Sequence, residues 1–152
     1  MFQTNSKYFF MEPINNFQVG NYVQYQSQIM NNGQIAMIVD RISSIDDKQI
    51  KTQKGLTIAI ELAKSQFFPI SIKPEWLQAI GFEKHCEEGT FSIWEQTFYY
   101  FKENKPIPII IIEHNENKLF FLGLVNEPLY AHSLQNLFFN ITRNKLDLPI
   151  EV

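Results

Sequence analysis

The amino-acid sequence predicts an α+β fold. It reads as two small antiparallel sheets, an N-terminal half-barrel-like one and a C-terminal meander, packed with one short and one longer C-terminal helix. Three observations carry this. Short runs of β-branched and aromatic residues alternate with polar ones and are broken by Gly-Asn, Asn-Gly and Lys-Gly bends. Only Ser133 to Arg143 keeps a helical period over three turns. Finally, 152 residues with 45% hydrophobic and 14% aromatic content can bury roughly 70% of the extended-chain surface without disulfide or metal staples.

Residues 1–16 read as an N-terminal arm, aperiodic and punctuated by Pro13 and Asn15-Asn16, with Met11 as an alternative start. Residues 17–152 read as one α+β domain with sub-regions 17–72 and 73–152, divided at Pro69 to Pro74. Phe17 and Val19, the Gly20-Asn21 bend and Tyr22 to Tyr25 open the first sheet. Asn31-Asn32-Gly33 is a hairpin signal, because Asn-Gly supplies the positive φ angles of a type I′ turn. Ile35 to Ile45 returns, and Ile50 to Thr52 and Leu56 to Leu62 follow as short strands around Lys54-Gly55. Ile70 and Ile72 end a strand. Pro74 then starts a two-turn helix with Trp76, Leu77 and Ile80 on one face and Gly81 as its stop. His85 to Gly89 reads as a polar turn. Phe91 to Trp94, Phe98 to Lys102, Ile107 to Glu113 and Lys118 to Leu124 read as the second sheet, with a turn at 114–117. Pro106 and Pro108 suit a sheet edge. In the last helix Leu134, Leu137, Phe138 and Ile141 form the core stripe, and Asn144 is the expected left-handed cap.

A net charge of −3 offers no broad positive field, which disfavours general nucleic-acid binding. The lone Cys86 and the lack of a secretory leader point to a reducing, cytoplasmic setting. The aliphatic run Ile107 to Ile112 is far short of the roughly 20 residues of a membrane helix.

No set of residues calls for a cofactor or a metal. Cys86 beside His85, with His114 and His132 elsewhere, lacks zinc-ligand spacing, and neighbouring side chains on an extended chain point apart. A thiol in a turn is the simpler account than a nucleophile. Asp40, Asp46 and Lys48 resemble the acids and lysine of a metal-dependent nuclease, but Asp46-Asp47-Lys48 sits at an expected turn, where solvated charges belong. Catalysis is not expected. Phe98 to Lys102 could stack bases, with core packing the simpler account.

Three segments carry a resemblance: Phe17-Gln-Val-Gly-Asn-Tyr-Val23, Pro69-Ile-Ser-Ile-Lys-Pro-Glu-Trp-Leu-Gln-Ala-Ile-Gly-Phe82, and Tyr130-Ala-His-Ser-Leu-Gln-Asn-Leu-Phe-Phe-Asn-Ile-Thr142. In this order they resemble a family of small uncharacterised proteins encoded by phages and prophages of Bacteroidota. The matching segments cover about a quarter of the chain. The resemblance implies a genomic setting, not a reaction. Ser71 stands for a family proline, Lys73 for the N-capping threonine and Arg143 for the glycine that closes the last helix. The Lys73 replacement should weaken that helix start by about 1 kcal/mol.

The second face of the last helix is the candidate partner-binding surface: His132, Gln135, Asn136, Phe139 and Arg143. A phenylalanine among polar groups there needs a cover, either from this chain or from a partner. The expectation is a non-enzymatic accessory protein that binds a host protein or ribonucleoprotein. Its sharpest form is an anti-CRISPR-like inhibitor of a host defence nuclease. The alternative is a single-stranded nucleic-acid-binding accessory protein that contacts phosphates through Lys48, Lys51 and Lys54.

Overall fold

A computed structural model describes residues 17–27, 33–89, 91–114, 119–123 and 127–150, without the side chains of 86–88 and 127. The expected arm, the Asn31-Asn32 turn residues and most of the turn at 114–117 lie outside the described residues. The chain divides into two compact units, Met1–Ile70 with Ile150–Val152, and Ser71–Pro149.

The first unit holds a curled, half-barrel-like antiparallel sheet in the order β1 (Tyr22–Gln26), β2 (Met37–Ile45), β3 (Gln49–Thr52), β4 (Thr57–Ala59). Tyr25 pairs with Ile38 and Val23 with Asp40, and the chain leaves this hairpin through Ser27 N–H donating to Ala36 O at 2.7 Å. A bulge between Ile42 and Ser44 sharpens the bend of β2. Gly20, at φ 93°, and Asn21 form a turn before β1, so Phe17 and Val19 precede the sheet instead of opening it. The core comprises Val23, Tyr25, Ile42, Ile50, Ile58, Ala63 and Phe67, with Phe17 packed edge-on against Phe67 at 5.5 Å.

The stretch Leu56 to Leu62, expected as a strand, splits. After β4 the chain turns helical as α1 (Ile60–Gln66). Ile60, Ala63 and Phe67 then share the inward face, while Leu62 stays 50% exposed. The expected strand at Ile70 and Ile72 reduces to two isolated bridges, Gln24 with Phe68 and Ser71 with Tyr130.

In the second unit α2 (Pro74–Ala79) starts on proline and buries Trp76 and Leu77. Its cap residue Lys73 makes no side-chain hydrogen bond, and the Lys73 ammonium lies 5.5 Å over Trp76. Gly81, at φ 102°, stops the helix, and a side chain there would also press within 2.8 Å of Gln96 Nε2. The second sheet runs β5 (Glu83–Glu88), β6 (Phe91–Tyr99), β7 (Pro106–His114), β8 (Leu119–Leu122), β9 (Glu127–Pro128), each antiparallel to the next.

The segment His85 to Gly89, expected as a turn, is largely edge strand. Its charged sequence suits an edge, where polar side chains discourage further pairing. The two strands expected between Phe91 and Lys102 are one, and it ends at Tyr99. β7 is interior, but β8 pairs only with Ile111 to His114, so Pro106 and Pro108 occupy a stretch whose other side carries no ladder.

α3 (Ala131–Thr142) buries Leu134 and Ile141, and sets Phe138 edge-on to Phe98 at 5.1 Å. Its left-handed cap is Arg143 itself, at φ 60°, not Asn144. The Arg143 N–H donates to Phe139 O at 2.8 Å, which holds a conformation that glycine would adopt without strain. Among the described residues no helix is long and apolar enough to cross a membrane.

Candidate functional site

Among the described residues, the acids and histidines considered for catalysis are not brought together. Asp40 sits mid-strand on β2 and is fully buried. Its carboxylate accepts from Tyr25 Oη at 2.6 Å, from the Arg41 N–H at 2.7 Å, from the Lys54 N–H at 3.2 Å and from the Thr52 hydroxyl. Burial alone would raise its pKa, but these donors outweigh burial and hold the carboxyl below the ordinary aspartate range. Burial and the Asp40 hydrogen bond push Tyr25 up to about 12. A carboxylate saturated in this way is a structural pin, not a metal ligand. Asp46 is exposed in the β2–β3 turn, where the N–H groups of Lys48 and Gln49 each donate to it at 2.7 Å and lower its pKa. The nuclease-like trio is therefore dispersed.

The histidines are equally scattered. His85 Nε2 lies 3.6 Å from Glu95 and 4.0 Å from Glu83 at the surface. His114 packs beside Phe91 at 4.9 Å, and His132 is buried and stacked on Tyr130 at 6.3 Å. The Cys86 side chain lies outside the described residues. Among the described residues no three His, Cys, Asp or Glu side chains are placed to hold a metal ion. An open groove of about 950 Å³ runs between α2 and β5, lined by Glu75, Gln78, Glu83, Lys84 and Trp94 among others. Its Trp94 donates Nε1–H at 2.9 Å to the buried Glu113.

The expected partner face of α3 separates into two parts. His132, Gln135 and Asn136 are buried, and the Gln135 amide donates to Leu146 O at 3.3 Å, so the C-terminal tail lies over this part. Leu148, 3% exposed, anchors the tail. Covered side chains present no open surface. Phe139 and Arg143 remain accessible, Phe139 half-buried and Arg143 exposed.

These two join a residue outside the expected set. The Arg143 guanidinium lies 4.7 Å over the Phe101 ring and 5.4 Å over Phe139, and Lys102 Nζ lies 5.7 Å from Phe101. The Phe101 N–H donates to Ile141 O at 2.9 Å, which fixes the β6–β7 turn against the end of α3. Phe101 is 41% exposed. The nearby Glu103 pairs with Lys105 at 2.9 Å, leaving Arg143 and Lys102 without an acid partner among the described residues. Phe101 was legible only as part of an aromatic run. Of that run Phe98 is core, while Tyr99 and Phe101 are exposed.

Lys48, Lys51 and Lys54 are all exposed. They occupy the β2–β3 turn, the middle of β3 and the β3–β4 turn, so they space out along one strand. No family model, curated protein or solved structure matches the chain. What the residues define is a mixed α+β protein of two antiparallel sheets.

Proposed function

We propose that this chain acts by occupying a surface of another protein rather than by catalysing a reaction, and that it presents the Phe101–Phe139–Arg143 end of its second unit. The supporting observation is the guanidinium stacked on two rings at an accessible position, beside a second cation and with no acid committed to either. Arginine and aromatic side chains dominate interface hot spots. A stacked guanidinium is oriented in advance, so little side-chain entropy is lost when it meets a carboxylate. Lys102, Arg143 and Lys145 make the matching target surface acidic. In the genomic setting that the resemblance implies, the sharpest form of this reading is a host defence nuclease blocked in the manner of an anti-CRISPR protein, or a ribonucleoprotein that contains one.

The test is capture of a stoichiometric partner from host lysate, followed by titration of the two purified proteins. Arg143→Glu is expected to weaken that titration by roughly thirtyfold, about 2 kcal/mol, because it reverses the charge at the anchor. Recovery of no partner, or a titration indifferent to Arg143→Glu, refutes the reading. If single-stranded DNA or RNA binds instead, with a steep salt dependence lost in a Lys48, Lys51 and Lys54 triple alanine variant, the nucleic-acid alternative takes its place.

A further inference from the structure

The C-terminal tail is seated on α3 in the manner of a bound peptide. Residues 145–150 belong to no helix or strand. Even so, Lys145, Asp147 and Pro149 are exposed while Leu146 is half-buried and Leu148 buried, the twofold alternation of an extended segment. The left-handed turn at Arg143 sends the chain back along the helix, where the Gln135 amide donates to Leu146 O at 3.3 Å. On this side of α3 the buried side chains are polar: His132, Gln135 and Asn136 are 1, 6 and 8% exposed. A carboxamide carries donors and an acceptor together, so it can hold the N–H or the C=O of an extended backbone whatever side chains that backbone bears.

We infer that this face of α3 is a binding site for an extended segment with aliphatic residues at alternate positions. The tail fills it within the chain, and a Leu-x-Leu segment of a partner protein takes the tail's place. Three observations favour this occupant. The seat divides its work as extended-peptide sites do, with polar groups for the main chain and an inward position for every second side chain. The tail is also held lightly. Leu148 is the one buried side chain among residues 145–150, and burying one leucine biases an equilibrium by roughly ten- to a hundredfold. Finally, the covered face suits repeated opening. A helix that only had to close its own core would carry aliphatic residues there, and these would be left as an apolar patch whenever the tail came away. His132, Gln135 and Asn136 instead exchange hydrogen bonds with water when uncovered, so the open state is not penalised. The Arg143 end lies beyond the tail's cover, so this inference and the reading above stand or fall separately.

Fluorescence anisotropy with a labelled synthetic peptide of residues 144–152, titrated with the full-length protein, tests this. In Leu148→Asp the tail loses its anchor, and this variant is expected to bind the peptide saturably. Wild type is expected to bind it at least tenfold more weakly, because its own tethered tail competes at an effective concentration on the order of millimolar. A peptide carrying the Leu148→Asp change is expected to lose at least tenfold in affinity for the opened protein, and so is the opened protein when it also carries Gln135→Ala. Leu148→Ala provides a milder opening, with circular dichroism and the amide protection of α3 reporting the fold of both variants. A folded, opened variant that binds no peptide overturns the inference. So does a wild type that binds the peptide as tightly as the opened variants do, or a site indifferent to the change at position 148 of the peptide. Loss of the fold in both variants also overturns it, because the tail would then be part of the core.

Discussion

The two sheets are built alike and finished differently. Both are antiparallel meanders of short strands, and each buries one acid on its inner face. In the first sheet Asp40 receives donors from β1, from its own strand, from β3 and from the turn beyond, so one carboxylate ties four segments together. Its outer face is mostly polar, with Gln24, Gln26, Arg41, Ser44 and Lys51 outward, and Arg41 covers Tyr22 at 4.7 Å. In the second sheet Glu113 accepts from the Trp94 indole, and the outer face of β6 to β8 is largely isoleucine, phenylalanine and leucine, with Glu95 beside Glu83 and His85 towards β5. The first sheet spends its polar groups on closing itself. The second leaves Phe91, Ile110 and Leu119 accessible on its outer face.

The sharpest way to break this contrast is to remove each acid. Asp40→Ala strands the Tyr25 hydroxyl and two backbone N–H groups in the interior, with an expected loss of about 4 kcal/mol in urea unfolding and faster amide exchange in β1 to β3. Glu113→Gln keeps an oxygen for the indole and should cost under about 1 kcal/mol. Equal losses would mean that the two acids do the same job.

Acid and base probe the same pin without mutation. The Asp40 carboxyl has a folded pKa below its unfolded value near 3.9, so its contribution is complete above that value and disappears as pH falls through the folded one. Tyr25 runs the opposite way. Its folded value of about 12 exceeds the unfolded value near 10, so its contribution is complete below about pH 10 and is lost as pH rises from there to about 12. Unfolding midpoints should fall at both extremes, and Tyr25→Phe should flatten the alkaline limb. An alkaline limb unchanged in Tyr25→Phe counts against the pin.

The smallest expected effect lies in the second unit. Lys73→Thr supplies the missing N-cap of α2 and should raise stability by about 1 kcal/mol, read as a higher urea midpoint by fluorescence of Trp76 and Trp94. No gain would show that the Lys73 contact with Trp76 already offsets the absent cap.

Much of this architecture is legible in the residues. The Pro74 start and Gly81 stop of α2, the inward stripe of α3 and the short paired strands follow from local rules of φ, capping and alternation. Misreadings cluster where a local signal was ambiguous. Ile60 to Gln66 has β-branched neighbours but contains Glu61, Leu62, Ala63 and Lys64, good helix formers, and Ile60, Ala63 and Phe67 repeat at helical spacing. His85 to Gly89 reads as a turn because edge strands, such as the observed Glu83–Glu88, tolerate charge. Arg143 takes the left-handed position that only glycine or asparagine was expected to hold, because its guanidinium gains two aromatic faces.

The sequence by itself determined the class of fold and the antiparallel pairing of short strands, since alternation and turn residues depend on neighbours along the chain. Only the tertiary structure decided that His132, Gln135 and Asn136 lie under cover, that Phe101 meets Arg143, and that Phe91, Ile110 and Leu119 stay accessible on one face of the second sheet. Burial of a polar side chain depends on which distant backbone group is offered to it, as Leu146 O is to Gln135, and no local period encodes that meeting.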